Sequence, residues 1–383
     1  MDDDPKKTVL RRRRLIRIAG SLLSLAALTY IAIALISGRQ SGIFRIFGMF
    51  ASGDSAEMAS EYFFDVGRSR VFADLDGSPA AAGTLGIQVF DAGGHETLRD
   101  SFRMTTPMVC SQGKRAISFD MGGTSVRVFS STEVLVSLET FGAIVSATIN
   151  ANGWFAVCTQ ESTVSKGVVT VYNEAGNAVY RVNLASGYVL SAALTSDNKG
   201  LAVLNLAPDG SRVAFYELNS EDVSRVFELQ DRLILDMAYT SGGDMLLVAE
   251  DSLIALDRKN EGSEIYGFEG RSLGGYSIYG NDIAIYLLDY NVGYSGRIVS
   301  IDKDGGVLGE IESDREIIAI SLSDGYLAIL RSDGIALFGT SLEELPPVDD
   351  SVSSVGATRI LSFGSERVLV AGDHSAVAFS IEN

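Results

Sequence analysis

Two histidines and two cysteines bound the chemistry that this 383-residue chain can perform. Nucleophilic catalysis by serine or cysteine needs a positioned base, most often histidine. His95 follows Gly93-Gly94 and His374 follows Gly372-Asp373, so both stand in turn-like stretches at opposite ends of the sequence. No Gly-x-Ser-x-Gly elbow lies near either one. Cys110 ends the apolar run Pro107-Met-Val-Cys110, and Cys158 ends Phe155-Ala-Val-Cys158. Both read as buried free thiols, and neither shows a metal-ligand spacing. Paired carboxylates could cleave a glycoside, but nothing in the order of the acids selects a pair. No catalytic residue and no cofactor is expected.

Asp74-Leu-Asp-Gly77 and Asp302-Lys-Asp-Gly305 resemble the opening of a calcium loop. A complete loop needs further oxygen ligands and a glutamate at its twelfth position. The first continues with Ser-Pro-Ala-Ala; in the second, Val-Leu-Gly intervenes before Glu310 and Glu312. Asp-Gly is also a strong hairpin signal, so turns are the leading reading and calcium the minor one. Gly93-Gly94 and Gly122-Gly123 precede no helix pattern and read as turns that need positive φ, not as phosphate cradles.

Tyr276, Tyr279, Tyr286, Tyr290 and Tyr294 crowd into one stretch of sequence. Within it, Leu288-Asp-Tyr-Asn-Val-Gly-Tyr-Ser-Gly296 reads as a long loop between strands. Tyrosine supplies rigid contact area and asparagine, serine and glycine supply adaptable hydrogen bonds. Tyr290, Asn291 and Tyr294 are therefore the candidate partner-binding loop.

The elements that must carry these residues repeat about every 42 positions. An Ala or Leu between apolar β-formers recurs at Ala73, Ala116, Ala156, Ala202, Leu247, Ala284, Ala328 and Leu369. Such a period with only β signals predicts an all-β propeller, one four-stranded blade per repeat. Eight blades are favoured over seven, starting near residues 61, 104, 144, 188, 232, 274, 316 and 356. The last unit holds only three strand signals, so residues 61–66 are expected to close the ring. That loan would leave the first blade short of a strand. No amphipathic helix pattern follows residue 60.

Residues 18–36 are uncharged and long enough, at 1.5 Å per residue, to cross a hydrocarbon core of about 30 Å. Arg11, Arg12, Arg13, Arg14 and Arg17 precede them, which by the positive-inside rule keeps the N-terminus cytoplasmic. The run exceeds the usual apolar core of a signal peptide, and no small-x-small site follows it. The expected order is a cytoplasmic tail (1–17), a single membrane-spanning signal anchor (18–36), a juxtamembrane linker (37–60) and an extracellular propeller (61–383).

The first 40 residues hold eight Lys/Arg and three Asp, leaving 23 basic and 46 acidic residues beyond them, a net of −23. So acidic a body disfavours nucleic acid, whose phosphates need clustered Lys and Arg.

Ser196-Asp-Asn-Lys-Gly-Leu-Ala-Val203 resembles the turn-then-strand phrase of TolB-like and quinoprotein-like propellers. The Gly-His and Trp-Asp pairs of WD40 repeats are missing; Trp154 is the only tryptophan. The basic tail, single span, a Gly86-Ile-Gln-Val-Phe-Asp91 hairpin, Pro107, and Phe119-Asp-Met-Gly-Gly-Thr-Ser-Val-Arg-Val-Phe129 follow in order. Ile144 to Ala147, Asn152-Gly153 and Val171-Tyr-Asn173 come after them. Together they are similar to an uncharacterised family of membrane-anchored propeller proteins of clostridia-type Gram-positive bacteria. That resemblance implies a place on the outer face of the cell membrane and brings no activity. The leading functional expectation is a non-enzymatic scaffold that binds an envelope protein or cell-wall component, with membrane lipid engaged through the N-terminal anchor. The alternative is a small-ligand receptor or glycan-processing enzyme working in the propeller channel. A sensor ranks below both, because a 17-residue tail is too short for a signalling domain.

Overall fold

The computed structural model describes residues 60–160, 167–184, 186–257, 259, 261–289, 294–346, 356–372 and 375–381. The tail, span and linker with Arg11–Arg14 and Arg17, the loop residues Tyr290 and Asn291, and His374 lie outside them.

The described residues form eight antiparallel sheets and no helix. Blades 1 to 6 take residues 71–101, 107–139, 143–184, 188–230, 234–267 and 272–313, four strands each in sequence order. Blade 7 (317–339) has three strands among the described residues. Blade 8 (359–380) is completed by Ser60–Phe63, which pairs antiparallel with Ser375–Ser380 in the register Ser60 to Ala378. Ring closure by an N-terminal strand is as the sequence predicts. The first blade, expected to be short of a strand, is nevertheless complete, because Val71–Asp74 is a separate inner strand. Blade 7 is the short one. Ala73 accordingly lies on a first strand, whereas Ala116, Ala156, Ala202, Leu247, Ala284, Ala328 and Leu369 all lie on second strands. The second strand of blade 1 is Pro79–Gly83.

Second strands are apolar on both faces because each blade is packed between two others. Gly210–Glu217 shows how a strand divides its side chains. Ala214 and Tyr216 pack toward blade 3, while Val213 and Phe215 pack toward blade 5. Eight such apolar layers separate the eight blades, so the core is distributed between blades and not gathered on the axis.

Antiparallel order sorts the loops onto two faces. Turns from first to second strand and from third to fourth share one end, here the turn face. Turns from second to third strand share the other end with the blade-to-blade connections, here the connector face.

On the turn face a five-residue hairpin recurs. Asp91, Asn150, Asn173 and Asp302 each accept two amides of their own turn through one side-chain oxygen. The fourth residues, Gly94, Gly153, Gly176 and Gly305, have φ of 84°, 80°, 79° and 87°, a region open to glycine at no steric cost. Turns of neighbouring blades are also linked. Lys114 meets Asp76, Arg115 meets the Asn152 carbonyl, Asn150 meets Thr195 and Asn198, and Ser241 meets Asn281. Ser323 donates to the Gly364 carbonyl at 3.2 Å, and the Gly364 amide donates to Asp74 Oδ2 at 3.1 Å, across the ring seam.

Candidate functional site

The connector face is built differently. In blades 5, 6 and 7 an arginine just before or at the entry to the inner strand clasps an acid in the second-to-third turn of the same blade. Arg232 Nε donates to Asp251 Oδ1 at 2.9 Å and Arg271 Nε to Asp289 Oδ1 at 2.8 Å; Arg315 pairs likewise with Asp333. The Arg271 hydrogen bond holds the Asp289 carboxyl below the usual carboxylate range. Blade 2 achieves the same closure with backbone: Asp120 Oδ1 accepts from the Thr105 and Thr106 amides, both at 2.7 Å. These clasps fix the loops that frame the face. Sequence reasoning missed them, although Asp231-Arg232, Gly270-Arg271 and Asp314-Arg315 recur at matching places in the repeat.

Large exposed apolar side chains concentrate on this face. Leu85, Met121 and Tyr294 lie in second-to-third turns, and Phe141 and Leu233 lie in connectors. Tyr188, Leu235 and Ile318 stand at the entry of inner strands. The rest occupy outer strands, two of which begin at the turn face with Val223 and Val307, save Tyr279, which ends an inner strand there. Phe141 is 95% exposed and stands at the rim of an open groove of about 350 Å³, lined also by Thr159, Tyr172, Val179 and Tyr180 of blade 3. The chain joins the propeller at the opposite side: Ser60 and Glu61 lie against Gly94 of the Asp91–His95 turn.

Tyr294 is 58% exposed, on the loop that the sequence singles out, beside the clasped Asp289. The other described tyrosines of blade 6 do not join it. Tyr286 is buried among residues of blades 6 and 7, and Tyr279 lies at the other end. Tyr276 turns inward, where its hydroxyl donates to Asp236 Oδ2 at 2.8 Å.

Asp236 and Tyr276 belong to the inner strands of blades 5 and 6. Burial pushes the Asp236 carboxyl above its ordinary range, against the lowering effect of Tyr276 and of the Met237 amide. Burial and the nearby Asp236 charge also raise the Tyr276 phenol. The signal in the sequence was a lone acid inside the apolar strand Ile234–Tyr239.

The remaining candidates sit as follows. His95 is exposed and pairs with Asp91 of its own turn at 3.2 Å. Cys110 and Cys158 are free; burial pushes each thiol up to about 12. A thiol held protonated in this way is a poor nucleophile. Asp74 uses both carboxylate oxygens on the Gly77 and Gly364 amides, and Asp302 Oδ1 caps its own turn. Among the described residues no group of three or more His, Cys, Asp or Glu could hold a metal ion. Gly122 and Gly94 both take φ of 84°, as turns require.

Residues 54–341, three quarters of the sequence, match one family whose description is a family of unknown function, DUF5711. The chain belongs to DUF5711. No curated protein matches it in sequence. Its fold is similar to that of Sqt1 of Saccharomyces cerevisiae, with a TM-score of 0.59 and 12% identity over 86% of this chain and 100% of that one. The C-terminal WD40 domain of Sif2 gives 0.56 and 11%, over 86% of the DUF5711 chain and 98% of its own. Hydrazine synthase of Kuenenia stuttgartiensis gives 0.51 and 10%, over 76% and 100%. At these identities the likeness concerns the fold alone: the DUF5711 chain is a WD40-like eight-bladed propeller, without the Trp-Asp repeats. Folds of this kind host scaffolds and enzymes alike.

Proposed function

We propose that this DUF5711 protein is a non-enzymatic scaffold, a propeller held outside the cell membrane by residues 18–36 that binds an envelope protein or cell-wall component. The observation that carries the reading is the uneven distribution of exposed apolar side chains. Phe141, Tyr188, Leu235 and Tyr294 stand on the connector face, while the turn face is bound together by polar contacts and receives the incoming chain. Apolar side chains grouped on one face mark interaction sites on soluble domains, and tyrosine and phenylalanine serve as anchors there.

The test places a photocrosslinking amino acid at Phe141 or Tyr294 in intact cells, with Lys114 on the turn face as control. Capture of one partner from the first two positions and not from Lys114 is expected. Equal labelling from all three would reject the reading. Protease added to the same cells should digest the propeller and spare the tail; full protection would overturn the topology.

Asp236 and Tyr276 favour a second reading, a receptor or glycan-processing enzyme using the ring interior. Glycoside cleavage needs two carboxylates, so Asp236→Asn should abolish any wall-glycan hydrolysis that the purified protein shows.

A further inference from the structure

The groove beside Phe141 has a floor made from one face of blade 3. Val157 and Thr159 come from Phe155–Gln160, Thr170 and Tyr172 from Gly167–Tyr172, and Arg181 from Ala178–Leu184. Val157, Thr170 and Arg181 are direct cross-strand neighbours and share one side of the sheet. Phe155 and Val157 pack in the apolar layer against blade 2, so that side faces blade 2. Both ends of the groove are bounded. At the turn face a Cβ on Gly176 would lie 2.7 Å from Val136, so blades 2 and 3 meet there. At the connector face Phe141 is held outward. The Thr140 hydroxyl donates to the Gly142 carbonyl at 2.7 Å, and the Thr140 amide to the Thr124 carbonyl at 2.9 Å. The volume of about 350 Å³ lies within the range of small-ligand sites, about 300–1,000 Å³.

Thr170 narrows the chemistry of the ligand. It is 9% exposed, and among the described residues its side chain has no hydrogen-bond partner. An enclosed hydroxyl is costly unless something pairs with it, and Thr170 opens on the groove. The described lining contains no acid, although the body is strongly acidic. Its one cation, Arg181, donates from Nε to Asn183 Oδ1 at 3.4 Å.

We infer that this groove binds an N-acetylated pyranose unit of a cell-wall glycan. The inference rests on the scaffold reading and names its ligand. A cation would find no acid here. An extended peptide needs main-chain partners, but the N–H and C=O groups of the floor are used in the blade's own ladder. A hydrocarbon chain would seal the Thr170 hydroxyl away from any partner. A pyranose brings C–H surface for Phe141 and Tyr172, whose ring faces carry partial negative charge, and hydrogen-bonding groups around its edge. Its acetamide matches the pair Val157 and Thr170, with the methyl against the valine and the carbonyl oxygen accepting from the threonine.

The experiment is calorimetric titration of the full-length protein, in a polyoxyethylene detergent free of sugar, with tetra-N-acetylchitotetraose and with cellotetraose. Saturable binding of the N-acetylated tetramer is expected, weakened at least about tenfold in Phe141→Ala and in Thr170→Val, and unchanged in Lys114→Ala. Thr170→Val keeps the branched shape and removes a hydroxyl without a partner, so its thermal midpoint should not fall. A lower midpoint would show that the hydroxyl serves the fold and would overturn the site. No heat with the N-acetylated tetramer, equal or tighter binding of cellotetraose, or undiminished affinity in Thr170→Val would also overturn it. A failed titration with one protein still captured at Phe141 removes the glycan and leaves the scaffold reading. Saturable glycan binding with no partner captured does the reverse.

Discussion

The Tyr276 hydroxyl and the Asp236 carboxylate join the inner strands of blades 5 and 6 through a hydrogen bond of 2.8 Å. A half-buried acid is held there by one phenol and one backbone amide. Removing the phenol leaves the charge short of a donor. Tyr276→Phe should therefore destabilise the propeller by about 1.5–3 kcal/mol in denaturant unfolding at neutral pH. No loss would show that solvent replaces the hydroxyl.

The same carboxyl sets a pH dependence. Burial raises its folded value above that of the unfolded chain, about 3.9. The folded state then binds the proton more readily, so this group favours folding at low pH. Its contribution falls as pH rises from the unfolded value through the raised folded one. Asp236→Asn keeps an acceptor for Tyr276 and removes the titration. The variant should gain on the parent between pH 4 and pH 7, measured as the difference in urea midpoints. A constant difference would contradict the raised carboxyl.

Ring closure rests on Tyr62. It is fully buried, stands edge-on to Phe90 of blade 1 and Phe363 of blade 8, and donates to the Ala92 carbonyl at 3.0 Å. Tyr62→Ala should cost about 3–5 kcal/mol, and Tyr62→Phe only about 1 kcal/mol. Equal losses in the two variants would place the value of Tyr62 in its hydroxyl and not in its ring.

Gly94 and Gly122 share a φ of 84° but differ in surroundings. A Cβ on Gly94 would lie 2.7 Å from the Glu61 carbonyl oxygen of the closing strand, whereas Gly122 faces open space. Both alanine variants carry backbone strain of about 1 kcal/mol. Gly94→Ala should lose about 1 kcal/mol more, read from thermal unfolding of the pair. Equal losses would mean that the closing strand yields freely.

Both thiols are held protonated, so reagent should find neither. At pH 8 the folded protein should release no rapid equivalent from Ellman's reagent, and two after denaturation. A fast equivalent from the folded protein would contradict this for Cys110, the more accessible of the two.

The blades were legible because their second strands are apolar on both faces, which marks each repeat at Ala116, Ala156 or Ala328 without help from the turns. The first blade misled because its second strand, Pro79–Gly83, is small and carries no long apolar side chain. The calcium-like motifs share their residues with hairpin capping, and only the amide partners of Asp74 and Asp302 reveal that use. The tyrosines of blade 6 were close in sequence, but strand alternation and strand length send them to different neighbours. The arginine clasps escaped notice because their partners lie 18 or 19 residues away, a separation that spans two strands and shows no short motif.

The pairing of Ser60 with Ala378 also has a consequence in time. The first strand of the propeller to leave the ribosome is among the last to find its partner. At about 5–20 residues per second, the strand at residues 60–63 waits roughly 15–60 s while the rest of the ring is made. Throughout that interval Tyr62 lacks the blade 8 side of its pocket, Phe363 included, and the strand edge is unpaired. Synthesis truncated anywhere before residue 375 yields a ring that cannot latch, so the strand Ser375–Ser380 acts as a check that all eight blades have been made.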